Sequence, residues 1–249
     1  MKYSEKYIIN WHDTDANRVA RTARLVEHLQ ELANRQCEAS GLPLDRLRDE
    51  RGLGFILGAL SMTVNQPLHA YDEVELVTWC RPARGYIFNR YFEIRKGGEV
   101  AAVASTSWVI VDVNKKEMVR ISPDDPMHTS FYYDEPVSAD DVPPKARVPR
   151  EVKLYEVGKR KIVYSDIDYN MHMNNTRYPD MICDFLSEMT SGAPTRVSSI
   201  SLSYLKEALL GETLTVLRSD ADSDGRIFVR TLNERGEVCL EATLTLTDA

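Results

Sequence analysis

This chain nearly repeats itself, and that repeat limits its folding more than any other feature. W-H-D-T-D-A-N-R-V-A-R-T-A-R-L from Trp11 lines up with Y-S-D-I-D-Y-N-M-H-M-N-N-T-R-Y from Tyr164. Asp13, Asp15, Asn17 and Arg24 thereby fall on Asp166, Asp168, Asn170 and Arg177. Further on, G-Y-I-F-N-R from Gly85 matches G-R-I-F-V-R from Gly225, and Gly98-Glu99-Val100 matches Gly236-Glu237-Val238. Each match is weak alone. Together they keep their order at a nearly constant spacing, which reads as two copies of one supersecondary unit.

The hydrophobic period says what that unit is. From Thr22 to Ala39 the positions Leu25, Leu29, Leu32, Ala33 and Cys37 recur at helical spacing, and Gly41 with Pro43 ends the element. Residues 7–17 read as a strand running into a turn. After a charged loop, segments 54–63, 73–79, 86–94 and 101–113 are rich in Val, Ile, Thr and aromatics, with Lys96-Gly97-Gly98-Glu99 as a hairpin turn. A strand, a long helix and then consecutive strands favour an α+β fold with an antiparallel sheet over a doubly wound parallel one. The first unit is expected over 1–121 and the second over 150–249, with strands near 152–164, 197–205, 213–219, 227–233 and 238–247. Between them, 122–149 holds six of the eleven prolines and reads as an extended linker.

The second copy concentrates polar chemistry. Asp166, Asp168, Asn170 and His172 alternate, so an extended backbone would project them from one face. The period then changes. Tyr178, Met181, Ile182, Phe185 and Met189 form a helical stripe, preceded by the N-cap residues Asn174, Asn175 and Thr176, with Pro179 suited to a first turn. A helix N-terminus carries unpaired N–H groups and a partial positive charge, which suit it to polarise a carbonyl or hold an anion.

Duplication separates what serves the fold from what serves a site. Asp-x-Asp-x-Asn stands in both copies, and such residues form turns by bonding local backbone. His172 falls on Val19, and Glu207 falls on Pro67. Only the second copy has a histidine and a carboxylate at those places.

Composition excludes several classes. A net charge of −7 argues against nucleic acid as the main partner. No apolar run approaches the roughly 20 residues of a membrane span, and the first residues show no apolar core of a secretory signal. Cys37, Cys80, Cys183 and Cys239 form no C-x-x-C pair and read as reduced, mostly buried thiols of a cytoplasmic protein. Both Asp-x-Asp-x-Asn stretches share the opening of a calcium loop, but Arg18 and Met171 stand where it needs Gly, and Arg24 and Arg177 where it needs Glu. There is no G-x-S-x-G elbow, Gly-rich phosphate loop or H-E-x-x-H motif, and His12, His28, His69 and His128 lack ligand spacing. No metal and no cofactor are expected.

With both segments in view, the sequence resembles the acyl-acyl-carrier-protein thioesterases of plants and bacteria over essentially its whole length. The residues that carry the likeness are D-I-D-Y-N-M-H-M-N-N-T-R-Y, Y-L-K-E-A, T-W-C-R-P-A-R-G-Y-I-F from Thr78, and A-T-L-T near the end. The resemblance implies a tandem double hotdog, each unit a sheet wrapped around a long central helix. It implies hydrolysis of fatty acyl thioesters in fatty acid biosynthesis, with Asp168, Asn170, His172 and Glu207 as the catalytic set. Where plant members have a cysteine after the glutamate, this chain has Ala208, so a covalent thiol route is not expected.

On this reading, Glu207 and His172 activate water, Asp168 orients the array, and Asn170 with the N–H groups of Asn174 to Tyr178 polarises the carbonyl. Asn174 and Asn175 are further candidates to touch substrate. The acyl chain is expected in a tunnel at the junction of the units, with Leu53, Phe55, Ile56 and Leu57 as its lining. The partner is an acidic acyl carrier protein, for which Lys159-Arg160-Lys161 and Arg18, Arg21, Arg24 are the available basic clusters; a solvated charged face explains either equally well. An acyl-coenzyme A thioesterase and a non-catalytic acyl-thioester sensor are the competing readings. The duplication leaves a homodimer open.

Overall fold

In the computed structural model, which describes residues 2–81, 83, 85–122, 124–125, 127, 145–191 and 194–249, the β-rich segments join one eleven-stranded antiparallel sheet. Most of the expected Pro-rich linker, 128–144 with His128, lies outside the described residues, as do Pro123 and Pro126. The strands are β1 (Tyr3–Ile8), β2 (Leu53–Val64), β3 (Glu73–Cys80), β4 (Ile87–Lys96), β5 (Glu99–Asp112), β6 (Glu117–Met118), β7 (Tyr155–Lys161), β8 (Thr195–Tyr204), β9 (Thr213–Arg218), β10 (Arg226–Leu232) and β11 (Val238–Asp248). The helices are α1 (Thr22–Ala39), α2 (Leu44–Arg51), α3 (Tyr178–Asp184) and α4 (Ser187–Thr190).

The sheet order is β1-β3-β4-β5-β2-β8-β11-β10-β9-β7, with the short β6 on β5. Read outward from the β2–β8 seam, the halves run β2-β5-β4-β3-β1 and β8-β11-β10-β9-β7, so corresponding strands occupy corresponding places. At the seam Ser61 faces Ser201, its own counterpart in the repeat, and their hydroxyls meet at 3.0 Å. A residue paired with its own repeat marks a local two-fold axis, as in an isologous dimer.

Both helices cover one face. From α1, Leu25, Val26, Leu29, Leu32 and Ala33 are buried, and Tyr178, Met181 and Ile182 of α3 join the same core with Leu60, Met62, Ile200 and Leu202 from the seam. Each such leucine, isoleucine, valine or methionine contributes roughly 1.5–3 kcal/mol by leaving water. Arg21 before α1 bonds Asp180 of α3 at 2.8 Å, and Arg177 meets Glu27 at 3.2 Å.

The structure departs from expectation in two elements. The charged loop after α1 contains α2, whose Leu47 is buried beside Leu53, Phe88 and Ile110, and which stops at Gly52 in the left-handed conformation (φ 64). The central helix of the second unit is short: α3 has seven residues against eighteen in α1. It ends at Phe185, whose ring lies 2.4 Å from where a Cβ on Gly158 of β7 would be. Leu186 then turns inward, and Glu188 of α4 is held by Arg218 of β9 through two 2.7 Å bonds. The expected stripe is therefore split, with Phe185 and Met189 packing against the core from either side of the break.

That ion pair sets an acid limit. Arg218 hydrogen bonds lower the Glu188 carboxyl from its ordinary 4.5 to about 2. A depressed carboxylate stabilises the fold above its unfolded pKa and loses that contribution as pH falls from about 4.5 toward about 2. Glu188→Gln leaves the buried Arg218 short of a charge partner. Chemical denaturation at pH 7 should show it less stable by about 1–3 kcal/mol, the range allowing for the exposure of the glutamate, and the gap from wild type should narrow as pH falls below about 4.5 and close only below about 2.

Candidate active site

The polar stretch of the second copy is a tight turn. Asp166 is buried: its Oδ2 accepts from the Val163 N–H at 2.9 Å and its Oδ1 from Arg160 at 2.5 Å. Asp168 Oδ1 accepts from the Asn170 N–H at 2.8 Å, Met171 takes a left-handed φ of 65, and the Asp168 N–H returns to the His172 carbonyl at 3.0 Å. The first copy repeats this: Asp13 Oδ2 accepts from the Asn10 N–H (2.8 Å), Asp15 Oδ1 from the Asn17 N–H (2.8 Å), and Arg18 has φ 65. The expectation of one extended row is therefore corrected. The carboxylates bond local backbone, so Asp166 turns inward and the four side chains do not share a face.

The turn docks on the chain after β8, where the Met173 N–H donates to the Ala208 carbonyl at 2.8 Å and His172 forms a β-bridge with Leu209. This brings His172 Nε2 to 3.1 Å from Glu207 Oε2. Both side chains remain open to water, at 30% and 54% exposure. In the first copy Val19 bridges to His69 in the same way, but Val19 and Pro67 offer no such pair.

Asn170 receives a residue that sequence reasoning missed. Its Oδ1 accepts from Arg48 Nη1 at 2.6 Å, and the same guanidinium lies over the exposed Tyr169 ring, 5.2 Å from its centre. Arg48 belongs to α2 of the first copy, within what read as a charged loop; Leu44, Leu47 and Gly52 were the available signal of a helix there. Arginine has donors only, so the contact fixes the amide oxygen toward Arg48 and leaves the Asn170 NH₂ for another acceptor.

The N–H groups ahead of α3 are largely committed. The Asn174 N–H donates to the Asp166 carbonyl (2.8 Å), the Thr176 N–H to Asn174 Oδ1 (2.9 Å) and the Arg177 N–H to the Asn174 carbonyl (3.0 Å). Asn174 is thus a cap, and these three donors are not free to polarise a substrate as expected. Asn175 differs: its carbonyl accepts from Tyr204 at 3.0 Å, while its own Oδ1 is buried with no partner among the described residues. Burial holds the Tyr204 phenol well above its ordinary pKa, so it stays a donor.

The expected tunnel lining also divides. Leu53 and Phe55 pack with Phe88 and Ile110 beside α2, Leu57 farther along the same face of β2 enters the main core, and alternation sends Ile56 to the other face, where it is half exposed. Leu57 borders an apolar hollow of about 20 Å³ beneath α1, with Val26, Leu29, Phe92, Ala104 and Trp108. A larger groove, about 500 Å³, does lie between the copies, but neither these four residues nor the four site residues line it. Of the basic clusters, Arg21, Arg24 and Arg160 are engaged with Asp180, Glu27 and Asp166, while Arg18, Lys159 and Lys161 stand exposed. Among the described residues no His, Cys, Asp or Glu group has the grouping of a metal site, and no helix is long and apolar enough to cross a membrane.

Comparison with known proteins agrees along the chain. The family model of the acyl-ACP thioesterase N-terminal domain matches residues 1–127, and that of the C-terminal domain matches 150–245. The chain is 22% identical to oleoyl-acyl carrier protein thioesterase 1 of Arabidopsis thaliana chloroplasts over 246 residues, covering 90% of this chain. It spans 66% of that relative's length. The crystal structure of an acyl-ACP thioesterase from Bacteroides thetaiotaomicron superimposes with a TM-score of 0.83 at 19% identity, over 99% of this chain and 98% of the other. The 12:0-ACP thioesterase from Umbellularia californica gives 0.83 at 15%, over 100% and 98%. At these identities the structural likeness is one of fold.

If Asp168 acts through the turn, its oxygen matters more than its charge. Asp168→Asn should keep the bond from the Asn170 N–H, and Asp168→Ala should lose it at a cost of about 0.5–1.5 kcal/mol, read by thermal or urea unfolding.

Proposed function

The chain belongs to the acyl-ACP thioesterase family, and from that premise we propose that it hydrolyses the thioester of fatty acyl-acyl-carrier protein, releasing free fatty acid and ending chain elongation. The observation that carries this reading is the 3.1 Å contact between His172 and Glu207, found in one copy of a duplicated turn. An imidazole and a carboxylate in contact, both open to water, can hold a water molecule and take its proton. The water oxygen attacks the thioester carbonyl carbon, the carbon–sulfur bond breaks, and the proton passes to the leaving thiolate, giving a carboxylic acid and a free carrier thiol.

Asn170 donates its NH₂ to the carbonyl oxygen as negative charge develops there, with Arg48 holding the amide in that orientation. Loss of one such donor typically costs roughly 10²–10³-fold in rate. Asp168 holds the turn that presents Asn170 and His172. No thiol takes part: Ala208 follows the glutamate, Cys239 is buried, and burial pushes the Cys183 thiol up to about 12.

The second unit, 150–249, carries this chemistry, and the first, 1–121, shapes the space for the acyl chain. The apolar hollow beneath α1 is where that chain would lie, opened beyond its present volume by the chain itself. Arg18, Lys159 and Lys161 are the basic residues left to meet an acidic carrier.

Assay of purified protein on one acyl group carried by acyl carrier protein and by coenzyme A tests the reading. His172→Ala and Glu207→Gln should each lose about 10²–10⁴-fold in kcat/KM while remaining folded. Full activity in either variant would refute the assignment, and preference for the coenzyme A ester would favour the other carrier. Binding of the acyl thioester without turnover by the wild type would leave a sensor.

The hollow gives a separate expectation. Ala104→Leu, which fills it, should shift the fatty acids released in expressing cells toward shorter chains, measured by gas chromatography.

A further inference from the structure

The groove between the copies is built around the first copy's turn. Asp15, Ala16, Asn17 and Val19, the counterparts of Asp168, Tyr169, Asn170 and His172, lie in its wall. Five arginines converge on it: Arg21 and Arg24 from the start of α1, Arg160 from β7, Arg177 before α3 and Arg196 from β8. Four of these, Arg21, Arg24, Arg160 and Arg196, keep a buried Nε–H with no acceptor among the described residues. Buried donors without partners are uncommon in folded proteins, and these four belong to residues of the groove wall, each nitrogen itself closed to water.

The acids of the groove do not pair every one of its guanidinium groups. Asp166 and Asp180 each hold one arginine, at 2.5 and 2.8 Å. Asp15 is bound to its own turn through the Asn17 and Val19 N–H groups, at 2.8 and 3.1 Å. Asp184 is exposed. Arg24 and Arg177 both reach Glu27, and Arg196 has no carboxylate among the described residues, only the Val64 carbonyl at 3.1 Å. Beside these charges the lining is apolar, with Val64, Met181, Met189 and Val197. About 500 Å³ is far more than a bare ion needs and falls in the range of organic ligand sites.

We propose that this groove is a second, non-catalytic binding site for a fatty carboxylate, its head on the arginines and its chain on the apolar wall. Guanidinium forks suit a carboxylate's two oxygens. Chemistry is absent because Val19 and Pro67 stand where His172 and Glu207 stand in the other copy. The inference goes beyond the reaction proposed above and does not need it. Should both hold, the site would bind the class of molecule that the reaction releases.

Titration calorimetry of the full chain with octanoate, 1-octanol and inorganic phosphate tests it. Octanoate should bind saturably at one site, and Arg196→Gln should weaken it by roughly 10-fold or more, the loss of one charge-assisted bond. Arg196→Lys should retain most of the affinity, and octanol and phosphate should each bind far more weakly than octanoate. His172→Ala should bind octanoate as the wild type does, which separates this site from the proposed catalytic one. Melting curves establish that the variants are folded, and Arg24→Gln takes the place of Arg196→Gln if the latter is not. No saturable octanoate binding, equal affinity in both arginine variants, equal affinity for octanol or phosphate, or loss of binding in Ala104→Leu would overturn the proposal.

Discussion

Everything in this molecule depends on the antiparallel pairing of β2 with β8. The ladder is short, Ala59–Thr63 against Ser199–Ser203, yet it joins a six-stranded half and a five-stranded half into one sheet. Because Ser61 lies opposite Ser201, the halves are related by a two-fold axis, which sets the turn before one helix against the chain beyond the other. That is why Arg48, past the end of α1, reaches Asn170, and why the Asn17 amide reaches the Thr195 carbonyl past α4 at 3.2 Å. Each polar turn is completed by the opposite copy.

The two turns share their backbone and differ in what it presents. In each, a buried aspartate accepts from the N–H three residues before it, and a second aspartate closes a loop around a left-handed residue. Around that skeleton the surroundings differ: Asp13 meets Tyr7 and His28, Asp166 meets Arg160, and burial with the Asp13 charge pushes the Tyr7 phenol up to about 12. With the skeleton fixed by local hydrogen bonds, side chains at 19 and 172 could diverge without cost to the turn. One turn therefore presents an imidazole to a carboxylate, and the other forms one wall of a groove to which both copies bring arginines.

The sequence was most informative where periods are strong and contacts local. The limits of α1, the hairpin at Gly97-Gly98 and the strands of both copies follow from alternation and capping residues. The pairing of His172 with Glu207 followed from comparing the copies, because a residue changed at one of two equivalent places stands out. Tertiary contacts were the blind spot. The break after α3 comes from a ring packing on Gly158 and a glutamate bound to Arg218, neither visible in the local pattern. The helix α2 hid beneath its charges because Leu44 and Leu47 alone carry its apolar side. Arg48 could not be assigned to Asn170 without knowing that a two-fold axis relates the copies. Arg21, Arg24 and Arg160 read as surface clusters and instead face one another across the axis.

Among the described residues the sheet does not close, and its rims are β1 and β7. A rim strand shows a row of main-chain donors and acceptors that any extended peptide could satisfy. On β7 the residues facing outward include Lys159 and Lys161, and on β1 Lys6. Another molecule sliding in edge-on would press ammonium against ammonium, so the lysines act as fenders that keep an open ribbon from growing into a fibre.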